Sequence, residues 1–323
     1  MATSEFELIR RYFTHPARHT LLGVGDDAAL IKVRRGCELA ISADMLVAGR
    51  HFLEDVEPRK LGHKALAVNL SDLAAMGAVP RWATLALALP SANVPWVREF
   101  ARGFMALARR FDVDLIGGDT TGGPLNICVQ IMGETPAGKA LRRDGARAGD
   151  DIWVSGTLGD AALGLAALQR RITLTPQERR HCVARLEMPT PRVALGLALR
   201  GVARSAIDIS DGLLADLGHV LERSGVAADI EFSALPVSTA MRRHLHRTVA
   251  RSAILAGCDD YELCFTAPRS ARARVVAAGR QARVKVGRIG TIRARRKGSP
   301  ALTVRGDDGK IVRMTRGGYD HFA

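Results

Sequence analysis

The sequence has few aromatic and few acidic residues. Phe, Trp and Tyr make up 5% of its 323 residues, and 33 Asp and Glu stand against 47 Lys and Arg, which gives a net charge of +14. A basic balance is typical of proteins that bind polyanions. However, the basic excess is mostly arginine, scattered along the chain in places as pairs, little aromatic surface can stack on bases, and no nucleic-acid motif is present. These absences favour a solvated basic surface, and we expect no nucleic-acid partner.

Paired cysteines and long apolar runs are also missing. The five cysteines include no C-x-x-C pair, which indicates a reducing compartment rather than a disulfide framework. No run approaches the roughly 18 apolar residues of a membrane-spanning helix. Residues 1–13 carry charges where a signal peptide has an apolar core. We therefore expect a cytoplasmic protein with no membrane partner.

Several common nucleotide-binding and hydrolase motifs are absent as well. There is no G-x-x-x-x-G-K-[ST], no kinase glycine-rich loop, no G-x-S-x-G and no EF-hand loop. Residues 23–28 superficially resemble a G-x-G-x-x-A dinucleotide loop. Asp26 and Asp27 at its mouth would repel a pyrophosphate unless metal ions stood between them. This excludes a conventional dinucleotide site.

What is present predicts two domains that mix helices and strands. The chain is long enough for two cores, and residues 133–151 form a seam rich in Gly, Pro and basic residues. We predict an α/β (α+β) architecture, with an N-terminal domain over residues 1–138 and a C-terminal α/β domain over 149–323. A helix is predicted to begin at Pro58 and to stop at Gly77.

The end of that helix has a composition that helix stability does not explain. Asn69, Ser71 and Asp72 are poor helix formers, because their short side chains compete for nearby backbone groups. Asn69 and Asp72 are three residues apart and share a helix face. An alternative is that Ser71 caps a second helix whose positive end favours Asp72. Both interpretations remain open at this stage.

Carboxylates recur at strand ends and turns beside glycine and small apolar residues. Any one of them is a turn residue by default, but in a basic chain the whole set indicates that a cation gathers them. Oxygen donors without paired His or Cys suit Mg²⁺ rather than zinc. Next to a glycine-rich loop predicted at residues 117–123, they suggest phosphates held through metals and backbone N–H groups. The segments are Asp26-Asp27, Asp44, Asp72, Asp119, Asp208 with Asp211, and Asp259 to Glu262.

The order of these motifs closely resembles that of thiamine-monophosphate kinases, in the ATP-using superfamily of aminoimidazole ribonucleotide synthetase and selenophosphate synthetase. The resemblance covers nearly the whole chain. It implies an N-terminal sheet domain that pairs with its copy in a homodimer, a C-terminal α/β domain and an active site in the cleft between them. It is carried by G-D-D-A at 25–28, S-A-D at 42–44, G-R-H-F at 49–52, residues 69–77, G-G-D-T-T at 117–121, I-S-D-G at 209–212 and D-Y-E-L at 260–263.

The resemblance also implies roles for individual residues. It assigns catalysis to Asp72, Asp119 and Arg143, and thiamine phosphate contacts to His51, Asp259 and Tyr319. For His51 and Tyr319, packing against the core is the alternative. The implied ATP contacts are Gly118, Asp119, Arg143 and Ser210. The implied Mg²⁺ ligands are Asp27, Ser42, Ala43 through its backbone carbonyl, Asp44, Asp72, Asp119, Asp208 and Asp211.

The implied reaction is direct transfer of the ATP γ-phosphoryl group to thiamine monophosphate with several Mg²⁺ ions, which gives thiamine diphosphate. A phosphate monoester is largely ionised at neutral pH, since its second pKa is about 6. It is already a nucleophile, which agrees with the lack of a Ser-His pair. Catalysis then consists of aligning and neutralising two polyanions, a task for metal ions and an arginine.

The chain departs from the family pattern at three positions. Cys258 and Asp259 stand where the family commonly has Gly and Glu, and Ala43 stands where Thr is frequent. These changes bear on substrate affinity more than on reaction type. Selenophosphate synthetase is disfavoured, because the N-terminus lacks a reactive Cys or selenocysteine. A basic nucleic-acid-binding protein would explain the charge but not the carboxylates.

Overall fold

The computed structural model describes residues 5–306, 308–312 and 318, and they form two compact units. One unit comprises the chain up to Leu73 together with Ala78–Gly138, and the other comprises Ala74–Gly77 together with the chain from Lys139 onward. We call them unit 1 and unit 2. Tyr319, one of the predicted substrate contacts, lies outside the described residues.

Unit 1 is built on a four-stranded sheet of order β3-β6-β4-β5. The strands in this part of the chain are β1 (Thr20–Leu22), β2 (Leu30–Ile31), β3 (Cys37–Val47), β4 (Val79–Leu89), β5 (Asp114–Gly122) and β6 (Asn126–Pro136), and the helices are α1 (Glu5–Leu8), α2 (Pro58–Ala75) and α3 (Val94–Arg110). A π-helical turn, Ile9–Phe13, continues α1. Strands β4 and β5 are parallel and the other neighbours antiparallel, while β1 and β2 form a separate hairpin.

Helices α2 and α3 touch through glycines. A Cβ atom on Gly62 would lie 2.0 Å from the carbonyl oxygen of Phe100, and one on Gly103 would lie 1.8 Å from that of Arg59. Only glycine permits backbones to approach so closely. Burying a leucine side chain contributes about 1.5–3 kcal/mol, and α2 buries several. Helix α2 is therefore held firmly in unit 1 by its glycine contact and by Leu61, Leu66, Leu70 and Leu73.

Strand β3 alternates between the two faces of the sheet. Ser42, Asp44 and Leu46 are partly or fully buried, whereas Ile41 and Met45 are 55% and 53% exposed. This alternation is typical of a sheet with one packed face and one solvated face. We call the solvated side the open face, and its central positions are Ile41, Ala43 and Met45 of β3 with Cys128 and Gln130 of β6.

Unit 2 is built on a six-stranded sheet of order β12-β9-β11-β7-β10-β8. Its strands are β7 (Asp151–Ser155), β8 (Ser205–Ile209), β9 (Val226–Glu231), β10 (Glu262–Ala267), β11 (Val286–Ala294) and β12 (Leu302–Arg305), and its helices are α4 (Asp160–Leu168), α5 (Pro176–Glu187), α6 (Val193–Leu199), α7 (Leu213–Ser224), α8 (Thr239–Arg243), α9 (Thr248–Ala256) and α10 (Arg272–Gln281). Helix α7 contributes Leu213, Leu217 and Leu221 to the core, at the four-residue spacing of one helix face.

Some elements differ from those predicted from the sequence. The stretch at residues 117–123 is predicted as a loop, but β5 continues through it to Gly122 and pairs with β4 as far as Leu89. Helices α9 and α10 are not predicted by the sequence pattern. The residues that precede them, Arg247 and Ala271, form no side-chain capping hydrogen bond, so the usual start signals are missing.

All five cysteines are free thiols. Cys182 and Cys264 are buried, where a free cysteine behaves as a small apolar residue. Among the residues described, no helix is both long enough and apolar enough to span a bilayer.

Candidate active site

The packed face of the unit 1 sheet contacts the last turns of α2, and several predicted metal ligands lie at this contact. The Ser42 hydroxyl donates to Oδ2 of Asp72 at 2.5 Å, and the backbone N–H of Asp44 donates to Oδ1 of Asn69 at 3.1 Å. Asn69 is fully buried and donates in turn to the carbonyl oxygen of Ala65. Asn69 thus joins β3 to α2, which explains why a poor helix former lies inside a helix.

The alternative reading of this helix end is wrong. Ser71 does not cap a second helix, because α2 is continuous from Pro58 to Ala75 and Ser71 is fully buried within it. Ser42 and Asp44, two residues apart, lie on the same face of β3. The structure therefore brings Ser42 together with Asp72, and places Asp44 beside them on the face that contacts α2.

A cavity of about 660 Å³ in unit 1 brings together three other predicted site residues. Its lining includes Asp27, Gly118 and Asp119, and we call it the β5 cavity because Leu115–Thr120 form one wall. Gly118 has φ +148°, and a Cβ atom there would lie 1.8 Å from the carbonyl oxygen of Leu85. Glycine at this position is required by the close pairing of β4 and β5. The volume suits a ligand of nucleotide size.

His51 lies in the segment between β3 and α2. Its Nδ1 accepts the backbone N–H of Val47 at 3.0 Å, and its carbonyl oxygen accepts a hydrogen bond from Nζ of Lys64 at 3.1 Å. Since Nδ1 is an acceptor, a neutral His51 ring carries its proton on Nε2. The ring is thereby oriented by the turn that precedes it.

In unit 2 the predicted ligands gather where β8 ends. Asp208 is buried in that strand, and Ser210 and Asp211 form the turn before α7. Oδ2 of Asp216, in the first turn of α7, accepts the backbone N–H groups of Ser210, Asp211 and Gly212 at 3.0 to 3.1 Å. Burial, reinforced by the charge of Asp211, raises the pKa of Asp216 to about 7 even though the three N–H groups lower it. Asp216 therefore shapes the turn that carries the predicted ligands.

Asp259, a predicted substrate contact, lies beside the same turn. Its N–H donates to the carbonyl oxygen of Ser210 at 2.9 Å, and the N–H of Tyr261 donates to that of Ile209 at 2.8 Å. Asp259 and Tyr261 have φ values of 70° and 49°, a left-handed conformation that costs a non-glycine residue about 1–3 kcal/mol. The Tyr261 hydroxyl donates to Oδ1 of Asp259 at 3.2 Å. Such strain is characteristic of functional loops.

The segment of residues 257–259, which we call the Asp259 loop, borders a second cavity of about 360 Å³. Cys258 lies on its wall, and burial together with neighbouring carboxylates raises the pKa of its thiol to about 12. The thiol is therefore neutral and unreactive at physiological pH. The polar part of the wall consists of Arg171, Thr248, Ser252 and Asp259, and Gly318 contributes backbone.

Comparison with known proteins decides the family. Residues 25–135 match the AIR synthase related protein N-terminal domain, and residues 147–302 match the corresponding C-terminal domain. The chain is 47% identical to a thiamine-monophosphate kinase of Salmonella typhimurium strain LT2, over 327 aligned residues that cover 100% of this chain and 99% of that protein. The chain belongs to the thiamine-monophosphate kinase family.

Solved structures agree with this assignment. Thiamine-monophosphate kinase from Stenotrophomonas maltophilia K279a superposes with a TM-score of 0.86 at 48% identity, over 97% of this chain and 99% of that one. AaThiL, solved in complex with AMPPCP and TMP, has a TM-score of 0.78 at 31% identity, over 93% and 92% of the two chains. The α/β fold class and the family resemblance seen in the sequence are confirmed.

Asp260 and Glu262 belong to the carboxylate segment Asp259 to Glu262, which the sequence groups with the residues that gather a cation, but in the structure both bind other parts of the protein. Both carboxylate oxygens of Asp260 accept the N–H of Gly159, at 2.9 and 2.8 Å, and burial raises the pKa of Asp260 well above its ordinary range. Fully buried Glu262 pairs with Arg185 and Arg192, which compensates its charge. This network fixes the backbone directly behind the strained Asp259 loop.

The remaining predicted residues occupy less enclosed positions. Arg143 lies in a short 3₁₀ turn, where its carbonyl oxygen accepts the Ser224 hydroxyl at 2.8 Å while its side chain is exposed. Ala43 lies on the open face. Because its methyl side chain has no donor atom, only its backbone carbonyl could bind a metal. Within the described ranges, no three His, Cys, Asp or Glu side chains form a group that could hold a metal ion. The metal-ligand assignments remain predictions.

Proposed function

We propose that this protein transfers the γ-phosphoryl group of ATP to thiamine monophosphate and releases thiamine diphosphate and ADP. The observation that carries the proposal is the β5 cavity, whose lining includes Asp27, Gly118 and Asp119, in a chain of the thiamine-monophosphate kinase family. Its relative AaThiL has been solved with AMPPCP and TMP. The predicted nucleotide contacts here are Gly118, Asp119, Arg143 and Ser210.

We propose Mg²⁺ as the resident cation, in several copies. The side chains present suit it, because they offer hard oxygen donors, including the Ser42 and Asp72 pair already in contact at 2.5 Å. A bound Mg²⁺ would neutralise phosphate charge and align the reacting groups. The proposed ligands are Asp27, Ser42, the Ala43 carbonyl, Asp44, Asp72 and Asp119 in unit 1, with Asp208 and Asp211 in unit 2.

The side chains of the chain itself bind and orient the two substrates in this proposal. The exposed guanidinium of Arg143 offers a fork of N–H donors to phosphate oxygens. His51 and Asp259 contact the thiamine phosphate, each from a backbone fixed by hydrogen bonds. An oxygen of the acceptor monophosphate forms the new P–O bond as the bond to the β-phosphate oxygen of ATP breaks. No side chain needs to act as a covalent intermediate.

The test is ADP release from ATP and Mg²⁺ with thiamine monophosphate, beside thiamine and a no-acceptor control, with thiamine diphosphate identified by chromatography. We expect product only with the monophosphate and only with Mg²⁺. ATP binding without thiamine diphosphate would contradict the acceptor and direct attention to Cys258 and Asp259. The cytoplasmic location and the lack of a nucleic-acid partner remain predictions.

We further propose that the open face of unit 1 pairs with a second copy of the chain. Ile41 and Met45 leave an apolar surface there at 55% and 53% exposure, and such surface is stabilised by an apolar partner. Met45→Lys is expected to convert a dimer into a monomer, measured by light scattering after gel filtration. The matched control is Met188→Lys, at a methionine of unit 2 that is 42% exposed. A monomeric wild type, or an unchanged mass for Met45→Lys, would contradict this.

A further inference from the structure

Buried hydrogen bonds fix the backbone that follows Asp259. The guanidinium of Arg185, on α5, donates to the carbonyl oxygen of Asp260 at 3.1 Å and to Oε1 of Glu262 at 2.8 Å. The Arg185 side chain is 16% exposed, so water competes little for these bonds. The Asp260 carboxylate accepts the N–H of Gly159 at 2.9 and 2.8 Å. The chain therefore leaves Asp259 along a path that α4 and α5 both hold in place.

The side chain of Tyr261 reaches back to Asp259. Its hydroxyl donates to Oδ1 of Asp259 at 3.2 Å. Tyr261 is buried, and its own N–H donates to the carbonyl oxygen of Ile209 at 2.8 Å, so the residue is held at both ends. A tyrosine side chain has only two flexible angles and presents its hydroxyl from a rigid ring. The hydroxyl therefore restricts the rotation of the Asp259 carboxylate, which lies on a cavity wall.

The backbone conformation explains why an aspartate suits position 259. Its φ of 70° is left-handed, and among residues other than glycine, Asp and Asn adopt this conformation most readily because their short side chains bond locally. The family commonly has Glu here, whose carboxylate lies one methylene farther from the backbone. The shorter side chain keeps the carboxylate of Asp259 near the backbone, within reach of the Tyr261 hydroxyl.

We propose that Tyr261 is a positioning residue for the acceptor substrate. Its hydroxyl holds the Asp259 carboxylate in the orientation that contacts thiamine monophosphate, and Tyr261 itself touches neither substrate. This inference rests on the proposed function, in which Asp259 is an acceptor contact. A carboxylate that is already oriented loses little side-chain freedom when the ligand binds. Tyr261 therefore raises affinity for the acceptor and leaves affinity for ATP unchanged.

The first test measures kcat and the two KM values of Tyr261→Phe, which keeps the buried ring and removes the hydroxyl. The KM for thiamine monophosphate is expected to rise about three- to tenfold, the effect of having to immobilise one free side chain on binding. The KM for ATP and kcat are expected to stay within twofold of wild type. Tyr12→Phe removes the same hydroxyl from a tyrosine of unit 1 and is the matched control, with all three constants unchanged.

The second test asks whether Tyr261 acts through Asp259. Asp259→Gly removes the carboxylate, and glycine adopts a φ of 70° without strain. This variant is expected to raise the KM for thiamine monophosphate at least as much as Tyr261→Phe does. Adding Tyr261→Phe to Asp259→Gly is expected to change that KM by less than twofold, because the hydroxyl has already lost its partner.

Three outcomes would overturn the proposal. They are an unchanged KM for thiamine monophosphate in Tyr261→Phe, an unchanged KM in Asp259→Gly, and a full further rise when the two changes are combined. Thermal unfolding of Tyr261→Phe near the wild-type temperature excludes a loss of fold as the cause of a raised KM. Calorimetry with thiamine monophosphate in the presence of AMPPCP measures the same affinity without turnover. Binding that depends on Tyr261 in a wild type that makes no thiamine diphosphate would refute the proposed reaction and support the positioning role.

Discussion

Asp72→Asn is expected to lose turnover by a factor of about 10² to 10³ while keeping the wild-type fold. In the proposed site, the Asp72 carboxylate holds a cation, and that cation neutralises the charge of the phosphates. Asparagine is neutral and would hold the cation less tightly. Single electrostatic groups in active sites have effects of this order. The amide keeps the size of the carboxylate. It also keeps an oxygen that can accept the Ser42 hydroxyl, now at 2.5 Å from Asp72. Folding is therefore spared.

The measurement is kcat across a Mg²⁺ titration, with thermal unfolding recorded for each variant. Asp55→Asn, at an exposed carboxylate of the same unit, is the matched control and should keep its activity. Ser42→Ala should show a smaller loss than Asp72→Asn, because the carboxylate remains. Near-normal turnover of Asp72→Asn throughout the Mg²⁺ titration, at low as well as high concentrations, would remove Asp72 from the set of metal ligands.

Gly118→Ala is expected to destabilise the protein by about 3 kcal/mol or more, because the added methyl group would both clash with β4 and strain the backbone of β5. The added Cβ would lie 1.8 Å from the carbonyl oxygen and 2.6 Å from the carbonyl carbon of Leu85, and φ of +148° is unfavourable for alanine. Relief would require β4 and β5 to separate, which breaks the pairing that forms one wall of the β5 cavity.

Gly117→Ala is the matched control, one residue away in the same strand. A Cβ atom at Gly117 meets nothing within 4 Å, and its φ lies outside the left-handed range. In urea denaturation, the free energy of unfolding of Gly117→Ala should lie within about 1 kcal/mol of the wild-type value. That of Gly118→Ala should be far lower. Equal stability of the two variants would show that β5 can move away from β4 at little cost.

The sequence predicted the local features of the fold better than the distant ones. The helix from Pro58 to the Gly77 stop follows from residues that are close in the chain, and α2 ends at Ala75 as expected within the usual uncertainty of helix ends. The glycines and threonines of residues 117–123 resemble turn chemistry and predict a loop. The strand geometry of this stretch comes from pairing with β4, about thirty residues earlier, and no local pattern reports such a partner.

The same limit applies to the candidate site. Isolated carboxylates such as Asp72 stood out because their setting was apolar. Asp259 and Asp260 are adjacent in the chain, yet their environments differ. Asp259 lines a cavity, whereas Asp260 is buried and accepts a hydrogen bond from the N–H of Gly159. Asp216 likewise appears in the sequence as an ordinary acid in a first helical turn, whereas its role depends on three converging N–H groups. Composition alone does not distinguish these environments.

The alternation of β3 restricts how this family can change length. Ser42 and Asp44 face α2 while Ala43 and Met45 face outward, so deletion of a single residue within the strand would exchange the two sets. Polar ligands would turn to solvent and apolar side chains would turn to the carboxylates. Insertions and deletions accepted during divergence should therefore accumulate in the connections on either side of β3, and its eleven residues should drift by substitution alone.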